Sequence, residues 1–264
     1  MGNSTRAEQF YRLTLEDPKV AEDLIYRSVV YNQLGVVNKK LGQRDRAVDY
    51  YEKSLEMKLQ YHPEKSMSIA TAHSNLGELY REKGDYQKAA FYYEKVLEVE
   101  EENNFINAPF REHIATTFNN IGALYHAQQL YSDALKMYGI SLRLRLTAEI
   151  PSNHPSLVRT YNNIAQTYQA QGDPAQALEY LEKTLEIKVN SLPPKHGDFA
   201  ITYNNLALAL NDQGRYEEAL KYMKMAYEID ILNLSADDPD VIEDLKFIAD
   251  LEKQIAETTV KTDE

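Results

Sequence analysis

The chain has 264 residues, 43% apolar and 27% charged, so its composition permits a buried core and is not that of a disordered protein. Its 41 Asp and Glu against 29 Lys and Arg give a formal net charge of −12. This charge argues against nucleic acid or an anionic membrane as partner, because both require a cationic surface. The absence of cysteine excludes disulfides, thiol nucleophiles and thiolate metal sites. No apolar run approaches the roughly 18 residues of a membrane span, so we expect a cytoplasmic protein.

The first predicted element is a helix over residues 4–16. Ala7, Tyr11 and Leu15 recur at a spacing of four residues and therefore share one helix face. Their pattern matches the second half of the repeats that follow. We therefore interpret residues 4–16 as a half-repeat that lacks its first helix.

Five repeat blocks follow, and they align without gaps. They begin at Tyr31, His73, Phe118, Tyr161 and Tyr203, at spacings of 42, 45, 43 and 42 residues. With the first residue of a block counted as 0, position +4 is always Gly or Ala and position +16 is always Ala. Position +20 is Tyr in three blocks, Leu in the fourth and Met in the fifth. Such repetition is typical of an array of identical structural units.

Each block has the pattern of a helical hairpin. Apolar or small residues at 0, +3, +4 and +7 form one helical stripe, and those at +16, +20, +23 and +24 form a second. Four blocks carry glycine at +11, the position where a helix commonly ends in a left-handed residue, while the third block has Gln129. Pro174 fills the first position of a helix, and most other prolines, among them Pro18, Pro63 and Pro151, lie between blocks.

The last predicted element is a capping helix over residues 238–257. Leu245, Ile248, Ala249 and Glu252 continue the repeat register, and a charged surface is expected from the residues Glu243, Asp244, Lys246, Asp250, Glu252 and Lys253. Residues 258–264 are expected to be a flexible tail. The sum is an all-α solenoid forming one domain over 1–257, with about twelve helices: one N-terminal helix, five hairpins and one C-terminal helix.

The pattern resembles the tetratricopeptide repeat (TPR) in a 42-residue form. The family's series of aromatic, Leu, Gly, Tyr, Ala and aromatic residues matches the block positions given above. The segments 153–158 and 161–165 are especially similar to kinesin light chains. The resemblance implies a right-handed superhelix whose first helices line a concave groove that holds partner peptides.

In this family the face formed by +1, +5 and +8 of the first helices lines the groove. Asparagine is a poor helix former, and an amide can both donate to and accept from the backbone of a peptide. We therefore expect ligand contacts from the +1 residues and from Gln166 at +5, while the +2 amides brace neighbouring helices. Bracing remains the alternative for the +1 residues as well. The +1 residues are Asn32, Ser74, Asn119, Asn162 and Asn204.

Basic or titratable side chains occur at +8 in the first three blocks. They are Lys39, Arg81 and His126, and Arg159 lies two residues before the fourth block. A cationic lining inside an anionic protein would attract acidic peptides. The alternative is that these side chains are solvated and complement the dipole at the helix ends.

The sequence contains no recognisable catalytic motif. There is no His-Glu-x-x-His, no Gly-x-Ser-x-Gly and no glycine-rich phosphate loop, and the six histidines show no metal-binding spacing. We expect a non-enzymatic scaffold that binds a partner protein or peptide and needs no cofactor or metal. The alternatives are the regulatory part of a larger enzyme or signalling polypeptide, and a self-associating adaptor. A monomer or a weak homo-oligomer is expected.

Overall fold

The computed structural model describes residues 2–61, 66–102, 108–146 and 154–262. These ranges contain thirteen α-helices, one short 3-10 turn at Pro155–Leu157 and no strand. The helices are α1 Gly2–Glu16, α2 Pro18–Glu22, α3 Leu24–Lys40, α4 Arg44–Tyr61, α5 Met67–Glu82, α6 Tyr86–Glu102, α7 Ala108–Ala127, α8 Tyr131–Leu146, α9 Val158–Ala170, α10 Pro174–Ser191, α11 Asp198–Asp212, α12 Tyr216–Asn233 and α13 Pro239–Thr262.

The helices form two compact units. Unit 1 holds α1 to α8, and unit 2 holds α9 to α13. Within each unit the predicted hairpins are present: α3 packs on α4, α5 on α6 and α7 on α8 in unit 1, and α9 packs on α10 and α11 on α12 in unit 2. The all-α repeat architecture is therefore confirmed.

The turn between the two helices of a hairpin uses a left-handed residue, as the glycine pattern predicts. The four glycines at +11 have φ between 72° and 79°. In the third block Gln129 adopts the same conformation, with φ of 62°. The geometry of the turn is thus kept where the favoured residue is missing.

The described ranges contain one more helix than the predicted twelve. The extra element, α2, is only five residues long and begins at Pro18, whose missing N–H costs nothing at a first helical position. The side chain of Asp17 caps α2 by accepting a hydrogen bond from the backbone N–H of Lys19 at 2.9 Å. The predicted linker prolines Pro63 and Pro151 lie outside the described residues.

The two units fill the contact between positions +4 and +20 differently. In unit 1 a glycine at +4 lies against a buried tyrosine at +20, and a Cβ built on Gly122 would lie 2.5 Å from the ring of Tyr138. In unit 2 the +4 residues are Ala165 and Ala207, and the +20 residues are smaller or more slender: Leu181 and Met223. The buried volume is thus divided differently between the two helices.

The last helix, α13, follows the predicted register on one face only. Its face toward α12 is anchored by Leu251, which is buried. Leu245 is 47% exposed, and Ala249 and Glu252 are exposed as well, because no described helix follows to cover them. Five residues of the predicted tail, 258–262, are helical, while 263–264 lie outside the described residues.

One surface prediction for α13 is wrong. Asp244 was expected to contribute to the charged surface of the cap, but only 2% of it is exposed. It lies one turn from the buried Val241, on the side of α13 that faces the preceding repeat. The position equivalent to it in the fifth block, 42 residues earlier, is Thr202, which is also buried.

Candidate functional site

The predicted amides of unit 1 bond to each other across neighbouring repeats. Asn75 Nδ2 donates to Asn32 Oδ1 at 3.2 Å, and Asn120 Nδ2 donates to Ser74 Oγ at 3.4 Å. In both cases a +2 residue of one repeat contacts the +1 residue of the repeat before it. Asn119, the third +1 residue of this unit, is buried.

Two members of the predicted cationic lining of unit 1, Lys39 and His126, contribute less positive charge than their residue types suggest. Lys39 Nζ lies 2.9 Å from a carboxylate oxygen of Glu78 and 3.1 Å from one of Glu82, both on the next first helix, α5. Burial and the nearby charge of Arg81 lower the pKa of His126 below its ordinary value, which favours the uncharged imidazole. This face therefore carries less positive charge than the sequence predicts.

The predicted site residues of α9 lie on or near the surface of unit 2. Arg159 and Gln166 are exposed, and Asn162 is half-buried. The Oδ1 atom of Asn162 is shielded from water and accepts no hydrogen bond from the described residues. A buried amide oxygen without a donor costs free energy, and rotation of the side chain toward the surface would let it accept from a ligand N–H group.

Unit 2 contains a cleft of about 670 Å³ between α11, the end of α12 and the first turns of α13. Among the predicted site residues, Asn204 lines this cleft. Its walls also include the apolar side chains of Ile201, Leu208 and Phe247. Ile201 is 62% exposed and Leu208 is 44% exposed, and together with Phe247 they form an apolar patch on the wall of the cleft.

The charged residues of the cleft are predominantly acidic. Lys246 is the only basic residue of the described lining, against five carboxyl groups: Asp230, Asp240, Glu243, Asp244 and Asp250. Such a concave, partly apolar wall concentrates negative potential. The cleft can therefore hold an apolar group beside a positive charge.

Asp244 and Asp230 form the buried end of this acidic wall. Burial raises the pKa of Asp244 to about 6, and the neighbouring carboxylate of Asp230 acts in the same direction, while the amide of Asn204 opposes them. Burial also raises the pKa of Asp230, and its interaction with Asp244 opposes that shift. Oδ2 of Asp244 is buried without a hydrogen-bond partner among the described residues.

Sequence reasoning missed the apolar and acidic residues of the cleft. Ile201 stands at the repeat position of the predicted Arg159, two residues before its block, and Leu208 stands at that of Gln166. The signal was therefore present as a switch from polar to apolar residues at groove positions of the fifth block. Asp244 was missed because a single Asp in a run of charged residues gives no sign of burial.

The described residues contain neither a membrane-spanning helix nor a cluster of metal ligands. None of the helices described is long and apolar enough to span a bilayer. The described part of the chain also brings together no group of three or more His, Cys, Asp or Glu that could hold a metal ion.

Comparison with solved structures finds similar repeat proteins. BtubC (BKLC) from P. vanneervenii has a TM-score of 0.66 at 20% identity, covering 88% of this chain and 89% of its own. A putative kinesin light chain with TPR-like repeats from Podosopora anserina has a TM-score of 0.61 at 21% identity, covering 79% and 97%. PilF of Pseudomonas aeruginosa has a TM-score of 0.53 at 22% identity, covering 88% and 91%. At these identities the likeness concerns the fold.

The family itself is established by sequence. A search of curated proteins finds no match. The model of the tetratricopeptide repeat, however, matches residues 26–102, 113–188 and 198–258, which together make up most of the chain. These ranges contain the five hairpins and most of α13. The chain therefore belongs to the tetratricopeptide repeat family.

Proposed function

We propose that this chain is a non-enzymatic protein-binding module and that the cleft of unit 2 captures a segment of its partner. The observation that carries this proposal is the exposure of Ile201 and Leu208 inside an acid-lined cleft of a TPR array. Aliphatic side chains that stay in contact with water at a concave surface gain free energy when a partner covers them.

The charge of the cleft favours a basic, amphipathic partner segment. Five carboxyl groups against one lysine attract a cationic peptide and repel an anionic one. The acidic peptide expected from Lys39, Arg81 and His126 has less support, because Lys39 is paired with glutamates and the lowered pKa of His126 favours its uncharged form. The apolar side chains of the segment would contact Ile201, Leu208 and Phe247.

Two first-helix amides of unit 2 are candidates for holding the peptide backbone, Asn204 in the lining of the cleft and Asn162 at the equivalent position of α9, outside that lining. Both have a buried amide oxygen that accepts no hydrogen bond from the described residues. We propose that these side chains rotate toward the partner so that the oxygens accept from peptide N–H groups, and that a segment extending from the cleft along α9 contacts Gln166 and Arg159. The face of unit 1 formed by Asn32, Lys39, Ser74, Arg81, Asn119 and His126 stays a separate candidate surface.

The test is a selection of random twelve-residue peptides displayed on phage, with the whole chain as bait. The selected peptide is then titrated into the chain and into two variants. Ile201→Gln removes the apolar wall, and Val189→Gln is the matched control, because Val189 is a similarly exposed aliphatic residue, at 61%, on the second helix α10.

Loss of one buried aliphatic contact should weaken binding by about tenfold or more, since it removes roughly 1.5–3 kcal/mol. Val189→Gln should leave the affinity unchanged, and both variants should keep the helical circular dichroism of the parent. If no peptide is selected, or if the two variants bind alike, the cleft is not the binding surface and the proposal fails.

A further inference from the structure

A buried lysine forms hydrogen bonds across two of the junctions between successive repeats. It stands at position +27, near the end of the second helix. In the fourth block Lys188 Nζ donates to the backbone oxygen of Asp198 and to Thr202 Oγ1, each at 2.7 Å. In the first block Lys58 Nζ donates to the backbone oxygen of Ser68 at 3.3 Å. Each lysine thus carries its ammonium group onto the first helix of the next repeat.

The same position of the fifth block reverses the charge. Position +27 is Asp230, and the residues that follow Asp198 and Thr202 by 42 positions are Asp240 and Asp244. The junction between α12 and α13 therefore holds carboxyl groups where the preceding junction holds an ammonium group and a hydroxyl. No described lysine or arginine forms an ion pair with Asp230 or Asp244.

The reversed junction leaves a buried acceptor without a donor. Asp244 is almost fully buried, and its carboxyl group hydrogen-bonds with the amide of Asn204 and with the carboxyl group of Asp230. Its Oδ2 atom has no amide, hydroxyl or ammonium donor among the described residues. Such an atom destabilises the native state unless a donor reaches it. The charged groups around the pair are Asp240, Glu243 and Lys246 from α13 and Asp238, which precedes α13 and lies near Asp230. From α11 the amide of Asn204 hydrogen-bonds with Asp244.

We infer that the carboxyl pair Asp230–Asp244 is a receptor for a lysine or arginine side chain of the bound partner, which takes the place that the Lys188 ammonium holds in the preceding junction. This inference rests on the proposed function, since the side chain arrives on the segment held by the cleft. An ammonium or guanidinium that enters the cleft donates to both carboxylates.

The raised pKa of Asp244 makes this binding depend on pH. The free chain holds a proton on Asp244 below about pH 6. A cation beside the carboxylate lowers that pKa, so binding releases the proton. The affinity for a basic segment should therefore rise as the pH is raised through about 6 and level off above it.

The experiment compares the selected peptide with an analogue in which norleucine replaces each lysine or arginine in turn. Asp230→Lys copies the arrangement of Lys188 and places a tethered ammonium in the receptor. Glu186→Lys makes the same change of net charge at an exposed residue of α10 that does not line the cleft, and it is the matched control. Asp244→Asn, which removes the charge but keeps the shape, is the second test variant.

For the wild-type chain, one basic position of the peptide should be preferred over norleucine by about tenfold or more. This preference should disappear in Asp230→Lys, shrink and lose its pH dependence in Asp244→Asn, and persist in Glu186→Lys. If a peptide binds but norleucine is tolerated at every position, or if Asp230→Lys and Glu186→Lys behave alike, the receptor is wrong while the proposed function stands.

If no peptide is selected, the proposed function fails and the receptor is tested alone. The probe is then Nα-acetyl-lysine methylamide, titrated into the chain while the carboxyl carbon of Asp244 is followed by NMR. A downward shift of the pKa of Asp244 would support the receptor. An unchanged pKa in saturating amine would overturn it.

Discussion

Units 1 and 2 form the same helical hairpin, but they divide the side-chain volume between positions +4 and +20 differently. In unit 1 a bare glycine at +4 accepts the ring of a buried tyrosine at +20, as Gly122 does with Tyr138. In unit 2 an alanine at +4 faces a leucine or a methionine. The alanine at +16 is buried in every repeat of both units. The comparison teaches that the summed volume across +4 and +20 is constrained, so a change at one of these positions requires a compensating change at the other.

The units also differ in how they treat charge on the first-helix face. Unit 1 pairs its groove lysine, Lys39, with the glutamates Glu78 and Glu82 of the next repeat. Unit 2 gathers carboxyl groups, and Asp230 and Asp244 have no cationic partner among the described residues. Charge is thus balanced internally in one unit and left to a ligand in the other, by our proposal.

The largest expected effect comes from adding a methyl group at +4 of unit 1 without removing volume at +20. In Gly122→Ala the new Cβ would meet the ring of Tyr138 at 2.5 Å. This clash should outweigh the helix preference of alanine and destabilise unit 1 by about 1–3 kcal/mol in urea unfolding. Gly139→Ala is the control, because nothing lies within 4 Å of a Cβ there.

The double variant Gly122→Ala with Tyr138→Leu sharpens the comparison, since it copies the pair Ala165 and Leu181 of unit 2. It should be more stable than the sum of the two single effects predicts, with a coupling of about 0.5–3 kcal/mol. Additive effects, or a Gly122→Ala variant as stable as Gly139→Ala, would show that the two residues are not constrained together.

A smaller effect is expected from the unmatched charge in unit 2. The folded pKa of Asp244, about 6, lies above its unfolded value of 3.8. Its protonation therefore stabilises the native state at low pH, and that stability is lost as the pH rises from about 4 to about 6. Asparagine does not titrate, so the free energy of unfolding of Asp244→Asn should not fall in this way. The stability of the variant relative to the parent should therefore increase by about 1–2 kcal/mol as the pH rises through this range.

The measurement is urea unfolding of both proteins across this pH range. Asp250→Asn serves as the control, since Asp250 lies on the same helix and in the same cleft but is exposed. A stability difference between Asp244→Asn and the parent that does not change with pH would mean that Asp244 titrates as an ordinary surface carboxyl group.

The smallest expected effect tests the turn that departs from the pattern. Gln129 has φ of 62°, a conformation that costs a residue with a side chain about 1 kcal/mol or more relative to glycine. Gln129→Gly should therefore stabilise unit 1 by about 0.5–1 kcal/mol. The preceding residue, half-buried Gln128, provides the control Gln128→Gly, which should not stabilise unit 1 because Gln128 does not have a positive φ. A destabilised Gln129→Gly would contradict the structural equivalence of the five turns.

The repeat architecture could be predicted from the sequence because its signals recur. Glycine at +11, alanine at +16 and apolar stripes at a helical period each appear in register several times, so chance agreement is negligible. The short helix α2 was missed because five residues offer no periodicity, and only its Asp17-Pro18 start is recognisable. The exposed face of α13 was missed because register alone does not reveal whether a neighbour exists to cover it.

The candidate site was less predictable because it depends on departures from the repeat. Asn204 was found since it belongs to a recurring set of amides. The fourth block carries Arg159 and Gln166 at the positions that Ile201 and Leu208 occupy in the fifth. The repeat pattern therefore gave no reason to expect apolar side chains there. The burial of Asp244 depends on the packing of α13 against α12, a long-range contact that local sequence does not encode.

The central claim is that unit 2 binds its partner in the cleft between α11 and α13. The most direct measurement is an NMR titration of the isotope-labelled chain with the selected basic peptide. The account predicts that the largest shifts fall on Ile201, Asn204, Leu208, Asp244 and Phe247, with the exposed second-helix residue Val189 unmoved. Shifts concentrated on the second helices α10 and α12 near Val189 and Lys221, with the cleft unaffected, would contradict it.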